Sequence, residues 1–387
     1  MRILLVGNFI PDAQQSMQRY AQWLENSLSD LGHTVAVVRP TPRFSRLSRI
    51  PSISKYLGYI DKFLIFPGTL RRLSRHYDLV HILDHSNSMY ISAVAGKPNL
   101  ITCHDVLAIR SAHGDFPQSR TGWSGRLLQR AILSGLCQAP RILCVSSKTA
   151  QDLTRLIAAF GRKVEPELRV VFNPLNWNYH PVEERDPEMD RRLGLLPGTK
   201  YLLHVGGNQW YKNRLGVLHL FAAFRNHWMA RNMAGEIRLL MVGKSFTEPM
   251  REFVKSRSLT DSIAEMQGVS NTDLQYLYSH AQALIFPSLE EGFGWPLLEA
   301  QACGCPVVTS SLEPMSEVVG NAAVLINVAS DPQLESLKIF DAIEHRQALR
   351  IAGFANLQRF AQQTILDQYL ACYQSALTSK PGASLPA

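Results

Sequence analysis

Two acids, two glycines and a proline fall close together in Glu291-Gly292-Phe293-Gly294-Trp295-Pro296-Leu297-Leu298-Glu299. Upstream, Ala281-Gln282-Ala283-Leu284-Ile285-Phe286 is an apolar run of buried-strand type. Pro296 stands where a first helical residue belongs, Gly304 where a helix stops, and Pro306-Val307-Val308-Thr309 opens the next strand. The order is strand, glycine-bearing loop, short helix, strand. Gly292 and Gly294 permit positive φ and close approach of a ligand to the main chain. A helix starting at Pro296 offers unpaired N–H groups and a positive dipole end, which suits phosphate. Glu299, in the expected first turn, points back toward that mouth. An ionised carboxylate only accepts hydrogen bonds, so it suits a diol such as a ribose or a sugar. Glu291, on the loop, reaches another part of the same ligand. The plainer alternative is a surface loop with acids that favour a helix start.

A second cluster is Gly206-Gly207-Asn208-Gln209-Trp210-Tyr211-Lys212-Asn213-Arg214, after the apolar Tyr201-Leu202-Leu203-His204-Val205. A glycine turn with a lysine near a helix start suits a diphosphate. Gly243-Lys244-Ser245 lacks the first glycine of a P-loop, since position 238 is arginine; Lys244 is kept only as a residue lining the nucleotide side. His104 and Asp105 follow the strand Asn99–Cys103. They therefore sit at the carboxyl edge of a parallel sheet, where α/β folds bind ligands. His81, Asp84 and His85 form a weaker set of the same kind, placed on the acceptor side. A hydrogen-bonded structural histidine is the alternative for each.

The segment from Glu291 to Glu299 resembles the two-glutamate signature of the retaining glycosyltransferases of GT-B fold, specifically the large family-four group, glycosyltransferase group 1. The resemblance runs in order along nearly the whole chain. It implies that Glu299 holds the ribose of a nucleotide sugar. Glu291 contacts donor-sugar hydroxyls, helped by the backbone of Gly292, Phe293 and Gly294 and by the helix start at Pro296, Leu297 and Leu298. Lys212 grips the diphosphate, beside Gly207 and Asn208. The family's arginine before that lysine is replaced by Tyr211, which leaves Arg214 as the substitute. His104 and Asp105 resemble the family's strand-end histidine pair near the donor sugar. The implied reaction moves a hexosyl group, with retained configuration, from a nucleotide-diphosphate sugar to a hydroxyl of a glycan or lipid-linked acceptor. No Asp-x-Asp occurs, so no bridging metal or other cofactor is expected, and charge stabilisation falls to Lys212, Arg214 and the helix. No general base is assigned. Two rivals remain open: a catalytically silent membrane-docking or nucleotide-sugar-binding protein of the same fold, and a nicotinamide-dependent oxidoreductase. The glycine fingerprint of the latter is absent after the first strand, where Asp12-Ala13-Gln14-Gln15-Ser16-Met17-Gln18-Arg19 stands. Gln15, Ser16 and Arg19 either contact ligand or simply begin a helix.

The elements that must position these residues read as α/β throughout. Arg2–Val6, a helix from about Ser16 to Leu31 and Thr34–Val38 make a βαβ opening. Further strands follow near residues 78–83, 99–103, 141–145 and 168–173. A proline-rich stretch from Pro174 to Pro197 reads as linker and lead-in helix. A second set of strands starts at Lys200. The expected organisation is two Rossmann-like, doubly wound parallel-sheet domains facing a cleft. The first spans 1–180, the second 190–360; a helix at 361–378 returns to the first domain, and 379–387 is a tail.

The 387 residues suit two such domains. No apolar run is long enough to cross a bilayer, Met1-Arg2-Ile3 leads into a strand, and six scattered cysteines fit a reducing cytoplasm. The formal net charge is +8. Much of it comes from residues 39–77, where Arg39, Arg43, Arg46, Arg49, Lys55, Lys62, Arg71, Arg72 and Arg75 accompany one acid, Asp61, amid many apolar side chains. Two readings stay open: a solvated basic face, or attachment to an anionic membrane surface. No nucleic-acid motif is present, so nucleic acid is not expected as a partner.

Overall fold

The computed structural model describes residues 1–12, 14–47, 50–161 and 166–378. Ala13, Arg49 and the tail 379–387 lie outside the described residues, as do the side chains of Gln15 and Lys55. Two compact units result: residues 1–176 with the segment from Gln362 onward, and Trp177–Ala361.

The first unit holds one sheet of β1 (Arg2–Val6), β2 (Thr34–Val38), β3 (Leu79–Ile82), β4 (Asn99–Cys103), β5 (Arg141–Cys144) and β6 (Glu167–Val170), in the order β2-β1-β3-β4-β5-β6. Every pairing is parallel. Parallel strands need helical crossovers that cover both faces, hence their continuous apolar sequences. β1 shows the consequence: Leu4 and Val6 enter one core, Ile3 and Leu5 the other. The second unit repeats the plan with β7 (Lys200–Gly206), β8 (Ile237–Gly243), β9 (Ile263–Met266), β10 (Ala283–Phe286), β11 (Val307–Ser310) and β12 (Val324–Ile326). Its order is β12-β11-β10-β7-β8-β9, again all parallel. Counted within the unit, that is 3-2-1-4-5-6 read from the far edge, the doubly wound order of dinucleotide folds.

The stretch expected as linker and lead-in helix belongs largely to the second unit. It contains the helix Pro187–Arg192. Tyr276 Oη donates to Asp190 at 2.9 Å and accepts from the Asp186 N–H at 3.0 Å. The last helix, Gln362–Thr378, packs on the first sheet through Ile365, Leu366, Tyr369 and Tyr373. Its anchor is polar. His81, on β3, is wholly buried, with one ring nitrogen 2.8 Å from Tyr373 Oη and the other 2.8 Å from Thr102 Oγ1. Tyr20 Oη and Tyr369 Oη lie 2.6 Å apart beside it.

Residues 51–74 form one helical rod, made of Pro51–Ile60, a π turn at Asp61–Ile65 and Phe66–Ser74. The acid of this basic region is not a surface counter-charge. Asp61 is buried and accepts the N–H groups of Arg43, Phe44 and Ser45 at 3.1, 3.0 and 3.0 Å, pinning the preceding loop to the rod.

Burial lowers His81 to about 3 and His204, in the second unit, also to about 3. Both are neutral in the folded chain, while the unfolded chain protonates them near pH 6.5. Folding stability is therefore full above about pH 6.5 and falls as pH drops toward 3, by about 1.4 kcal/mol per pH unit for each histidine. Urea melts from pH 7.5 to 4.5 check this. The midpoint should fall steadily below pH 6.5, with a shallower decline in His81→Asn; a flat profile between pH 6.5 and 5 contradicts it.

Candidate active site

In the second sheet the strand order reverses between β7 and β10. In doubly wound sheets the loops leaving the carboxyl ends at such a reversal are where ligands bind. Lys212 comes from the loop after β7 and Glu291 from the loop after β10, and they meet at 2.6 Å. Lys212 is 17 % exposed and Glu291 8 %. Ser288 Oγ donates to the same carboxylate oxygen at 2.9 Å. The Lys212 ammonium also lies 5.2 Å from the Phe286 ring centroid and 5.8 Å from that of Tyr211. The two loops are sewn together: the Leu289 N–H donates to Tyr211 O at 2.7 Å, and Asn213 Nδ2 to Pro287 O at 3.0 Å. Asn213 itself takes the left-handed conformation that ends the turn and starts the helix Arg214–Ala230.

The glycine loop differs in detail from the sequence reading. Gly294 has φ +110 and caps the helix Trp295–Ala302, whereas Gly292 is not among the glycines with positive φ. The helix begins at Trp295, so Pro296 is its second residue and Glu299 opens its second turn. Leu297 and Leu298 are core side chains, and the Leu297 N–H already donates to Gly294 O at 3.0 Å. Phe293 is buried too, edge-on to Phe360 at 5.9 Å. What these residues offer a ligand is therefore backbone. Glu299 is 5 % exposed and accepts a hydrogen bond from Tyr278 Oη at 3.0 Å. Burial, then the nearby Glu299 charge, pushes the Tyr278 phenol well above its usual range, so it serves Glu299 as a donor.

Arg214, the expected substitute for the arginine that Tyr211 displaces, opens the helix Arg214–Ala230. It is 4 % exposed, and its Nη1 donates to Lys244 O at 2.7 Å and to Asn208 Oδ1. Its Nε and Nη2 are buried without a hydrogen-bond partner. Buried donors of a permanent cation call for an anion. Asn208 Nδ2 in turn holds Ser245 O at 2.7 Å. Lys244 contributes its carbonyl here, while its side chain is exposed. Gly243, at φ +141, is irreplaceable in this weave: a Cβ would stand 2.0 Å from Gly206 O. Gly207 is less constrained, since the atoms nearest a Cβ there belong to the flexible Gln209 side chain.

In the first unit, His104 lies at the end of β4, 8 % exposed. Its Nε2 is 2.9 Å from Leu83 O, and burial pulls it below the usual imidazole value. A neutral ring that donates from Nε2 leaves Nδ1 as an acceptor, and this Nδ1 is buried with no hydrogen-bond partner. Asp105 is taken up by the turn that follows, accepting the Leu107 N–H at 3.0 Å. The weaker candidate His81 is corrected outright: one ring nitrogen is spent on Tyr373 of the last helix and the other on Thr102 of β4. Asp84 binds Asn8 Nδ2 at 2.5 Å and the Ser86 N–H at 2.7 Å, at the β1/β3 reversal of the first sheet.

Comparison with known proteins decides the family. The Glycosyl transferases group 1 model matches residues 186–359 and the Glycosyltransferase Family 4 model residues 17–173, so the two take in most of both units. The chain belongs to the group 1 glycosyltransferases. It is 26 % identical over 280 residues to the O-antigen chain mannosyltransferase B of Escherichia coli, covering 70 % of this chain and 69 % of that one. It is 27 % identical to the D-inositol 3-phosphate glycosyltransferase of Segniliparus rotundus, covering 82 % and 71 %. Among solved structures, the sucrose-phosphate synthase of Thermosynechococcus elongatus superposes with a TM-score of 0.72 at 17 % identity, over 97 % of this chain and 98 % of that one. Anabaena HepE in complex with UDP and glucose gives 0.65 at 16 %, over 97 % and 100 %. The fold of this glycosyltransferase is thus GT-B. Among the described residues, no cluster of three or more His, Cys, Asp or Glu could hold a metal ion.

Ser288, Tyr278 and Asn213 escaped the sequence reading. The Lys-Asn-Arg succession carried a hint, since asparagine tolerates the left-handed turn. Nothing local marks Tyr278, which reaches Glu299 from another helix. Tyr278→Phe should leave a buried carboxylate short of one donor and lower the unfolding free energy by about 1–3 kcal/mol. Urea denaturation reads this, and an unchanged midpoint contradicts the assignment.

Proposed function

We propose that this glycosyltransferase moves a hexosyl group, with retained anomeric configuration and without a divalent metal, from a nucleotide-diphosphate sugar to a hydroxyl of a glycan or lipid-linked saccharide during cell-surface polysaccharide assembly. The observation that carries the reading is the Lys212–Glu291 pair astride the second sheet's reversal, with the unpaired donors of Arg214 on the same edge. A diphosphate entering there would take over Lys212 and release Glu291 for sugar hydroxyls. Arg214 would add its two free donors, and the positive end of the Trp295–Ala302 helix would share the charge that develops on the leaving diphosphate. Glu299, steadied by Tyr278, would accept from the ribose diol. His104 Nδ1, an acceptor only, would take a sugar hydroxyl and not deliver a proton. The relative named above as an O-antigen chain mannosyltransferase supports the choice of a hexose and of a glycan acceptor.

The test is transfer from a panel of nucleotide sugars, the active one first found by thermal shift. Lys212→Ala and Glu299→Ala should stay folded and lose at least about 100-fold in kcat/KM, or about 2.7 kcal/mol of transition-state stabilisation. The product's anomeric proton should match the donor's. Near-wild-type turnover in both variants, or inversion, defeats the proposal.

A peripheral position on the cytoplasmic face of an anionic membrane fits the same reading. No helix among the described residues is long and apolar enough to cross a bilayer. On the 44–75 segment, Leu47 is 74 %, Tyr56 68 % and Leu64 74 % exposed. Arg43, Arg46, Arg71, Arg72 and Arg75 are exposed beside them. With Asp61 buried under its loop, no acid of that segment offsets those cations. Each basic residue near an anionic surface adds about 1 kcal/mol. The protein should therefore float with phosphatidylglycerol liposomes at low salt and not with phosphatidylcholine alone. Leu64→Glu with Tyr56→Glu should release it, and sedimentation away from anionic vesicles would refute the surface.

A further inference from the structure

The first unit contains a cavity of about 470 Å³ at the β1/β3 reversal of its sheet, between the loops that leave those strands and the inner face of the 51–65 rod. Its charges cancel. Lys62 and Asp12 are the charged side chains in its wall, and they pair at 2.9 Å. The Lys62 ammonium is further enclosed by Tyr59, Phe9 and Phe63, with ring centroids at 5.5, 5.6 and 5.7 Å. Little of that cation is left for a phosphate. What the wall offers instead is aromatic surface and neutral polar groups. Tyr59 and Phe63 stack at 5.6 Å with a 25° tilt between their planes. Asn87 Nδ2 donates to Asn8 Oδ1 at 3.0 Å, and Asn8 Nδ2 to Asp84, so the amides are held in fixed orientation. Gln129, also in the wall, has its carbonyl oxygen buried with no hydrogen-bond partner. An unpaired acceptor of this kind calls for a hydroxyl.

We infer that this cavity binds an uncharged hexose residue of the acceptor glycan, its C–H face on the Tyr59–Phe63 stack and its hydroxyls on the amides, and that it does not select a phosphorylated acceptor. The volume is within the usual range for a small-molecule site. The π turn at Asp61–Ile65 has a reason in this arrangement: the extra residue in the turn places Lys62 and Phe63 at the cavity while Leu64 stays on the outer face. The inference rests on the glycosyltransferase reading only for the word acceptor; the binding chemistry stands on the cavity alone.

Saturation-transfer NMR on the full chain tests it. The probes are the methyl glycosides of mannose, glucose, galactose and N-acetylglucosamine, with mannose 6-phosphate as the charged counterpart. At least one neutral glycoside should show transfer, and Phe63→Ala and Gln129→Ala should each weaken it about tenfold, with unchanged melting curves. Mannose 6-phosphate should bind no better than its neutral analogue. Transfer to none of the neutral glycosides, equal binding by both variants, or preference for the phosphorylated sugar overturns the inference. Titration of UDP and GDP separates the two readings. A nucleotide diphosphate that binds while every neutral glycoside fails sinks the cavity alone. A neutral glycoside that binds while every nucleotide fails sinks the donor site alone.

Discussion

The second unit is organised about one ion pair. Lys212 and Glu291 lie 79 positions apart in the chain and meet at 2.6 Å because two parallel strands, β7 and β10, are neighbours whose following crossovers leave in opposite directions. A pair this little exposed has lost much of its hydration, so its attraction must offset a real desolvation cost. Ser288 and the two aromatic faces over Lys212 help to do so. Such a pair is stable without ligand and is also readily exchanged: a diphosphate can replace the carboxylate at the ammonium, and sugar hydroxyls can replace the ammonium at the carboxylate. The loop-to-loop bonds from Leu289 and Asn213 fix where that exchange can take place.

The two units share an architecture and differ in what the reversal of strand order presents. In the second, the edge carries Lys212 and the buried, half-paired Arg214, a setting for anions. In the first, the corresponding edge carries Asn8, Asn87 and Asp84 in a closed amide–carboxylate network, with the nearby lysine neutralised. The same sheet geometry thus presents cationic side chains at one reversal and an amide–carboxylate network at the other. The last helix completes the first unit through buried hydroxyls around His81, which makes that part of the fold sensitive to protonation and leaves His81 no capacity for substrate chemistry.

The strands and the Glu291–Glu299 loop were legible in the sequence for a physical reason. Parallel strands buried on both faces must be apolar throughout, and a helix start with Gly294 and Pro296 is written in residues that few other conformations tolerate. What was not legible depends on partners distant in sequence. Asp61 looked like a lone acid among bases, yet three backbone N–H groups from an earlier loop consume it. In the sequence His81 groups with Asp84 and His85 as a weaker set like His104 and Asp105, yet it lies within β3 and its ring is spent on Tyr373 and Thr102. The Pro174–Pro197 stretch reads as linker and lead-in helix; the helix Pro187–Arg192 is there, and Tyr276 ties it down through the Asp186 N–H and the Asp190 carboxylate. Tyr278 and Ser288 have ordinary neighbours in sequence, and their importance comes from where Glu299 and Glu291 fall.

Tyr211 shows how a departure from a family pattern can be absorbed. At that position the loop uses the main chain: the carbonyl accepts from Leu289 whatever the side chain is. An arginine there would bring a flexible cation out from the loop. In the proposed reading the cation is Arg214, in the first turn of the next helix, braced by Lys244 O and Asn208 and packed over Phe246 at 5.5 Å. A braced guanidinium loses less rotamer freedom on gripping an anion than an exposed one does, and its burial strengthens each hydrogen bond it makes. The cost is that its unpaired donors destabilise the empty site. An anion that reached these donors would recover that cost, which is what the proposed diphosphate would do at this edge of the sheet.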